Sequence, residues 1–266
     1  IWNGMIDKRP GLIVSCARTG DAREAVRLAA EYGLLTAVQG AGHNIAGNSI
    51  CDGGLVISFK EMRGVQVDAA TGRVRVQPGA TLGDVDAATQ AHGLAVPTGI
   101  NSTTGISGLT LGGGFGWLSR KHGMTIDNLL AAEVVTATGE KVRASETENP
   151  DLFWGLRGGG GNFGVVTAYE FQAHPVGPEV LAGLIVHPIG DAPDVLRQYR
   201  GFCADSPDEV TAWVVMRHAP GGGPSLQPRL RSLPGGGVGR GCPLVRDGAP
   251  PRPGGHGAGA GRASPS

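Results

Sequence analysis

No apolar run in this 266-residue chain is long enough to cross a bilayer, and no charged leader with a cleavage site is visible. Lysine plus arginine balances aspartate plus glutamate, 23 against 23, so there is no electrostatic footprint for nucleic acid or an anionic membrane surface. The four cysteines (Cys16, Cys51, Cys203 and Cys242) lie far apart with no Cys-x-x-Cys or metal-type spacing. That argues against a bound metal and for buried or incidental thiols in a reducing compartment. The expectation is a cytoplasmic protein without metal, membrane or nucleic-acid partner. The start at Ile1 rather than Met suggests an incomplete N-terminus. A Walker A pattern is missing, as is the Gly-x-Gly-x-x-Gly dinucleotide fingerprint.

What is present suffices for a core: 40% of residues are hydrophobic, enough for one large or two modest domains. Residues 18–33 read as a helix with Asp21 as its cap, Glu24 three positions on, a stripe of Ala22, Val26, Leu28 and Ala29, and Gly33 as its stop. Strands at 12–16 and 34–39 flank it. Short strands are expected at 54–59, 64–68 and 73–78, the last with Val74 and Val76 alternating with polar residues. Thr81, with Asp84 three residues on, should cap a helix to about His92. A hairpin around Gly139, a short helix at 151–157 and a long strand at 162–174 follow.

From residue 219 the pattern stops. Nearly half of 219–266 is Gly or Pro, and Asp247 is its only acidic residue. Such a segment buries too little apolar area to offset its ordering entropy, so disorder is expected. A basic linker or nucleic-acid-binding tail is the functional alternative. The abrupt switch to Gly, Pro, Arg and Ala is also what a GC-rich gene gives out of frame, and the nucleotide sequence tests that. The expected division is 1–175, 176–218 and the tail 219–266.

Chemistry concentrates in three glycine-rich segments. The first, Gly40-Ala41-Gly42-His43-Asn44 and on to Gly47, lets successive N–H groups point at one anion beside a single imidazole. Taken alone, a histidine in such a turn is more ordinarily a loop-stabilising residue. The second runs from Gly99 through Asn101, Ser102, Thr103, Thr104, Gly105, Ser107 and Gly108 to Gly112, Gly113, Gly114, Gly116 and Trp117. Its glycine density argues against a stable helix or central strand, while hydroxyls and N–H groups offer donors to a flat ligand. Its interspersed Ile, Leu, Phe and Trp distinguish it from a flexible linker. The third holds Arg157, Gly160, Gly161 and Asn162 before Val165 and Val166, two side chains able to pack on a ring. Three such loops beside strand ends suggest one long ligand touched repeatedly.

These residues resemble a family. Gly-x-Gly-His-Asn (40–44), Pro-Gly-Ala-Thr-Leu-Gly-Asp-Val (78–85), Gly-Leu-Thr-Leu-Gly-Gly-Gly-Phe-Gly-Trp-Leu-Ser-Arg-Lys (108–121), Thr-Ile-Asp-Asn (125–128) and the 149–167 block through Arg-Gly-Gly-Gly-Gly-Asn-Phe-Gly-Val-Val occur in order. Together they are similar to the oxygen-dependent FAD-linked oxidoreductases, which include 6-hydroxy-D-nicotine oxidase and the berberine bridge enzyme. The resemblance covers roughly residues 1–218. It implies an α+β fold: a PCMH-type FAD-binding domain of two α+β subdomains, then the start of an antiparallel-sheet substrate domain.

The resemblance also assigns roles. His43 falls on the histidine that bonds the 8α-methyl of FAD, and Gly40, Ala41, Gly42, Asn44 and Gly47 on the pyrophosphate loop. Asn101 stands where many relatives carry a second covalent cysteine, so His43 would be the only tether. Thr104 matches the position governing oxygen access. Asp127, Gly161, Asn162 and Val166 fall among cofactor contacts. Gln39 and Ala41 stand where relatives usually have Arg and Gly, and His122 replaces an aromatic residue. The implied reaction moves a hydride from a small alcohol, amine or sugar to flavin N5, with O2 as acceptor. The alternatives are a dehydrogenase with another acceptor or a non-catalytic FAD-binding remnant. Tyr199, Asp205 and Glu209 are polar candidates in the second domain, but none is assigned as catalytic base.

Overall fold

The computed structural model describes residues 1–218, 224–232 and 260–263. They fall into two compact units, Ile1–Pro175 and a second beginning at Val176.

The first unit contains two larger sheets and one two-stranded sheet. Strands β1 (Leu12–Ser15), β2 (Thr36–Gln39) and β3 (Leu55–Ser58) form a parallel sheet in the order β1-β3-β2, with α1 (Thr19–Glu31) connecting β1 to β2. All four residues of the central strand β3 are buried. Helix α1 presents Ala22, Ala25 and Val26 to Leu55 and Ile57. Its cap differs from expectation: Arg18 is the N-cap, and the Asp21 carboxylate reaches back to accept from the N–H groups of Ala17 and Arg18 at 2.9 and 3.2 Å. The acidic residue thus sits inside the first turn, where it also meets the positive end of the helix dipole. Glu24 instead pairs with Arg27 at 3.0 Å.

The second sheet is antiparallel, in the order β4 (Val65–Asp68), β5 (Arg73–Val76), β9 (Val165–Gln172), β7 (Leu129–Val135), β8 (Lys141–Ser145). The hairpin around Gly139 closes through Thr136 N–H to Glu140 O and Gly139 N–H to Thr136 O, both 2.9 Å. One face of this sheet carries the main core, where Val74, Val134, Val166, Tyr169 and Phe171 meet Leu82 and Val85 of α2 (Leu82–Gln90). Thr81 caps α2: its Oγ1 accepts from the Asp84 N–H, and the Asp84 carboxylate accepts from the Thr81 N–H. The short strands β6 (Leu94–Ala95) and β10 (His174–Pro175) pair with each other. Helices α3 (Ile106–Leu111), α4 (Ser119–His122) and α5 (Pro150–Leu156) complete the unit, with one-turn helices at Thr125–Asn128 and Gly160–Phe163.

The sheet's charged face joins four strands. Arg75 contacts Glu133 at 2.9 Å and Glu170 at 3.4 Å, Arg143 grips Glu170 at 2.7 Å, and Lys141 meets Glu133 at 2.9 Å. The hydrogen bond from Arg143 holds Glu170 below its ordinary carboxylate range. Burial works to raise Glu133, but the Lys141 and Arg75 hydrogen bonds outweigh it, and the net shift is also downward. Carboxylates depressed in the folded state add stability above the unfolded-state pKa, and that stability is lost as pH falls through the folded value. Urea unfolding should therefore show a steep loss below about pH 4.5. Glu170→Gln should cost about 1–2 kcal/mol at neutral pH and flatten that acid limb. An unchanged acid limb in the variant would count against the network.

The second unit is an antiparallel sheet of β12 (His187–Pro188), β14 (Pro224–Ser232), β11 (Val180–Leu184) and β15 (Ala260–Ala263), with β13 (Val210–His218) also paired to β14. Helix α6 (Ala192–Asp205) contributes Tyr199 and Phe202 to a cluster with Ile185 and Val210. Disorder expected throughout 219–266 is corrected at β14 and β15. The glycines of the tail leave 224–232 free of any glycine, and Leu226 is fully buried there. The rest of that expectation, and Asp247 and Cys242 with it, lies outside the described residues.

No helix among the described residues is long and apolar enough to cross a membrane. The described residues hold no cluster of three or more His, Cys, Asp or Glu able to bind a metal.

Candidate functional site

The first two glycine segments touch. A Cβ built on Gly40 would lie 2.9 Å from the Pro78 carbonyl oxygen, and one on Gly105 would lie 2.8 Å from the Ala41 Cβ. Only glycine permits so close a backbone approach at both places. The Ser107 hydroxyl closes the junction by donating to Pro78 O at 2.6 Å. Leu82 N–H donates to Thr104 O and Gly83 N–H to Ser102 O, both at 2.9 Å, so the second segment is moored to the capped start of α2.

The second segment then departs from expectation, because Ile106–Leu111 is a helix in spite of its glycine. Complete burial of Ile106 and Thr110 outweighs the entropic cost of Gly108. Gly105 is the N-cap of α3 and Gly112 its C-cap. Beyond it, Gly113 and Gly114 pack on Met124 and Thr125, and Gly116 on the Thr98 carbonyl. Trp117 is half-buried.

The third segment approaches α3 through the Gly160–Phe163 turn. Arg157 ties it to the Thr125–Asn128 turn, donating from Nε to Ile126 O at 3.1 Å and facing Asp127 at 3.4 Å. Asp127 also caps its own turn by accepting from Met124 N–H at 2.8 Å. The Asn162 amide donates to Gly159 O, closing its own loop. Val165 and Val166 require a correction: their side chains enter the two cores, Val165 beside Leu55 and Ile57 and Val166 beside Val134 and Tyr169. Only their backbone remains for a ligand.

His43 follows Gly42 in the first segment. Its ring stacks on Trp2, centroids 4.7 Å apart at 28°, and its Nε2 is buried with no hydrogen-bond partner. The Asn44 Oδ1 accepts from Asn48 N–H at 2.9 Å and its carbonyl from Gly47 N–H at 3.3 Å, which holds the turn. The Asn101 Oδ1 accepts from both the N–H and the hydroxyl of Thr103, at 3.3 and 3.0 Å. Phe115 and Phe163 are left exposed at 61% and 42%, an apolar surface beside glycine backbone. In the second unit the Tyr199 hydroxyl donates to Ala212 O at 2.8 Å, so its proton is engaged in packing.

Sequence reasoning missed Trp2, Lys8 and the tie made by the Arg157 side chain. Trp2 lies outside every glycine motif, and its only local signal was being one of four tryptophans.

A model of the FAD binding domain family matches residues 10–145. (R)-6-Hydroxynicotine oxidase of Paenarthrobacter nicotinovorans is 42% identical over 185 residues, which cover 70% of this chain and 40% of that protein. Xylooligosaccharide oxidase of Thermothelomyces thermophilus is 37% identical over 199 residues, covering 74% and 40%. The crystal structure of 6-hydroxy-D-nicotine oxidase from Arthrobacter nicotinovorans aligns with a TM-score of 0.84 at 35% identity, over 90% of this chain and 52% of that one. The chain thus spans about half the length of the relatives it matches.

Proposed function

The chain belongs to the FAD binding domain family, and on that premise we propose that it holds FAD across the three glycine segments, tethered through His43 alone, as the flavin-bearing part of an oxidase. The observation that carries this reading is the buried, unpartnered Nε2 of His43. Buried polar atoms in folded proteins almost always find a partner. An orphaned ring nitrogen beside a glycine cradle therefore fits a bond to a group outside the polypeptide, and a neutral imidazole is a competent nucleophile.

The surrounding residues fit the rest of such a cofactor. The backbone of Gly40, Ala41 and Gly42 offers N–H groups suited to a pyrophosphate, and exposed Phe115 and Phe163 supply apolar contact for a flat ring system. The amide of Asn101 is no nucleophile and is held by Thr103, which supports a single tether. Bound FAD supplies a hydride acceptor at N5 and returns the electrons to O2. The chain's own part is to hold the cofactor, fix its orientation and shield the attachment; no side chain here is assigned to move a substrate proton.

In its full-length form the protein is proposed to oxidise a small alcohol, amine or sugar in the cytoplasm with dioxygen as acceptor. Relatives named as hydroxynicotine and xylooligosaccharide oxidases support a small-molecule substrate. A second reading, that these residues hold FAD without turnover on their own, is favoured by their spanning only 40% of the first relative. Turnover of the full-length form in air, followed by peroxide release, separates the possibilities. Peroxide formed in step with substrate loss is the expected result; turnover only with an artificial dye would make the protein a dehydrogenase.

A further inference from the structure

Residues 1–8 form no helix or strand, yet they bind the His43 loop at successive points. Trp2 N–H donates to Gly42 O at 3.0 Å, the Asn3 amide donates to Ile45 O at 2.8 Å, and Lys8 Nζ donates to Gly47 O at 3.0 Å. Ile6 fills the space above Gly47, so close that a Cβ there would come within 2.8 Å of its Cγ2. Asn48 N–H closes the loop on the Asn44 Oδ1, and the strap supplies the bonds to Gly42, Ile45 and Gly47.

Trp2 is 58% exposed, so its indole is not placed by burial in a core. What places it is the stack on His43 and the backbone bond to the neighbouring Gly42. One face of the imidazole is thereby covered, its plane is fixed, and Nε2 remains inside without a partner. Covering one face leaves the ring few orientations, which is what a bond-forming nucleophile needs.

We propose that Trp2 is the positioning residue for covalent flavin attachment, and that the strap of residues 1–8 holds the His43 loop in its reactive shape. This rests on the reading of His43 as the tether. Attachment joins an imidazole nitrogen to the 8α carbon. A C–N bond forms while one C–H and one N–H are lost, two electrons and two protons pass to the flavin, and dioxygen removes them as hydrogen peroxide. Trp2 takes no part in the electron flow; it sets the angle at which the ring nitrogen meets the carbon.

The test uses the whole chain and three forms of it: unaltered, Trp2→Ala and Trp2→Phe. The FAD-free proteins are mixed with FAD in air, and acid-stable flavin is followed with time. Trp2→Ala should attach flavin about tenfold more slowly at saturating FAD, with reversible FAD affinity unchanged, and Trp2→Phe should regain most of the rate because it keeps a ring face. A merely structural role would lower affinity along with rate and would not be rescued by phenylalanine. Equal rates in the alanine and unaltered proteins would overturn the proposal.

A second readout needs no attachment at all. Diethyl pyrocarbonate acylation of His43 in the FAD-free protein, read by peptide mass, should be faster in Trp2→Ala, because without the stacked indole the ring turns more freely and its nitrogens reach solvent. If the unaltered protein binds FAD but never attaches it, the tether reading fails and the proposal with it, whereas attachment by the unaltered protein at a rate that Trp2→Ala matches overturns the role of Trp2 alone. Unchanged acylation of His43 would overturn that role.

Discussion

His43→Ala is expected to bind FAD and then lose all of it on acid precipitation, whereas the unaltered chain gives a yellow, fluorescent pellet. The change is from near-complete retention to none, because the three glycine segments contain no cysteine to form a second bond. Asn101 offers an amide already engaged with Thr103, and Cys16 and Cys51 are buried in the sheet region. Burial pushes the Cys16 thiol up to about 11, with the nearby Asp21 charge adding to the effect. That leaves almost none of it as the reactive thiolate at neutral pH. Noncovalent binding should survive, because the glycine segments meet through Gly40, Ala41, Gly105 and Ser107 without help from the imidazole.

Gly79→Ala should be the most damaging single-methyl change in the cradle. The added Cβ would fall 1.8 Å from the Phe59 carbonyl oxygen and 2.9 Å from that of Met62, both backbone atoms with no side-chain freedom to yield. Gly79 N–H also donates to Met62 O at 2.8 Å, and its neighbour Pro78 carries the oxygen that receives Ser107 and faces Gly40. A shift at Gly79 thus opens the junction of the first two segments. The expected cost is about 3 kcal/mol, or a fall in melting temperature of roughly 6–12 °C, with weakened FAD binding. Gly108→Ala is the counterpart, since a Cβ there meets nothing within 4 Å and the residue lies within α3. It should gain about 0.5–1 kcal/mol. Equal stability of the two variants would show that the close approach at Gly79 is not structural.

The elements legible in the sequence were those whose signal is local. The Thr81–Asp84 cap, the hairpin around Gly139 and the strand–helix–strand unit at 12–39 each depend on residues a few positions apart, and each is found in the fold. Helix α3 was hidden because Ile106 and Thr110 are completely buried, Ile106 within the main core, a tertiary contribution that overrides the propensity of Gly108. Strand β14 was hidden because the average composition of the tail masked a glycine-free stretch that pairs with β13 and β11. In the site, the ordered glycine blocks carried the reading, since close backbone approach can be served only by that residue. The tie of Arg157 to Ile126 and the stack of Trp2 on His43 were not legible. Each joins residues more than thirty positions apart, and nothing in their sequence neighbourhoods distinguishes them.

A covalent bond at one imidazole underlies the proposed function. It is tested most directly by loading the unaltered chain with FAD in air, denaturing it, and weighing the tryptic peptide of residues 28–60, which contains His43. This peptide should carry the mass of the flavin on His43, with no flavin on the peptide that contains Asn101. An unmodified 28–60 peptide from protein that had bound FAD would contradict it.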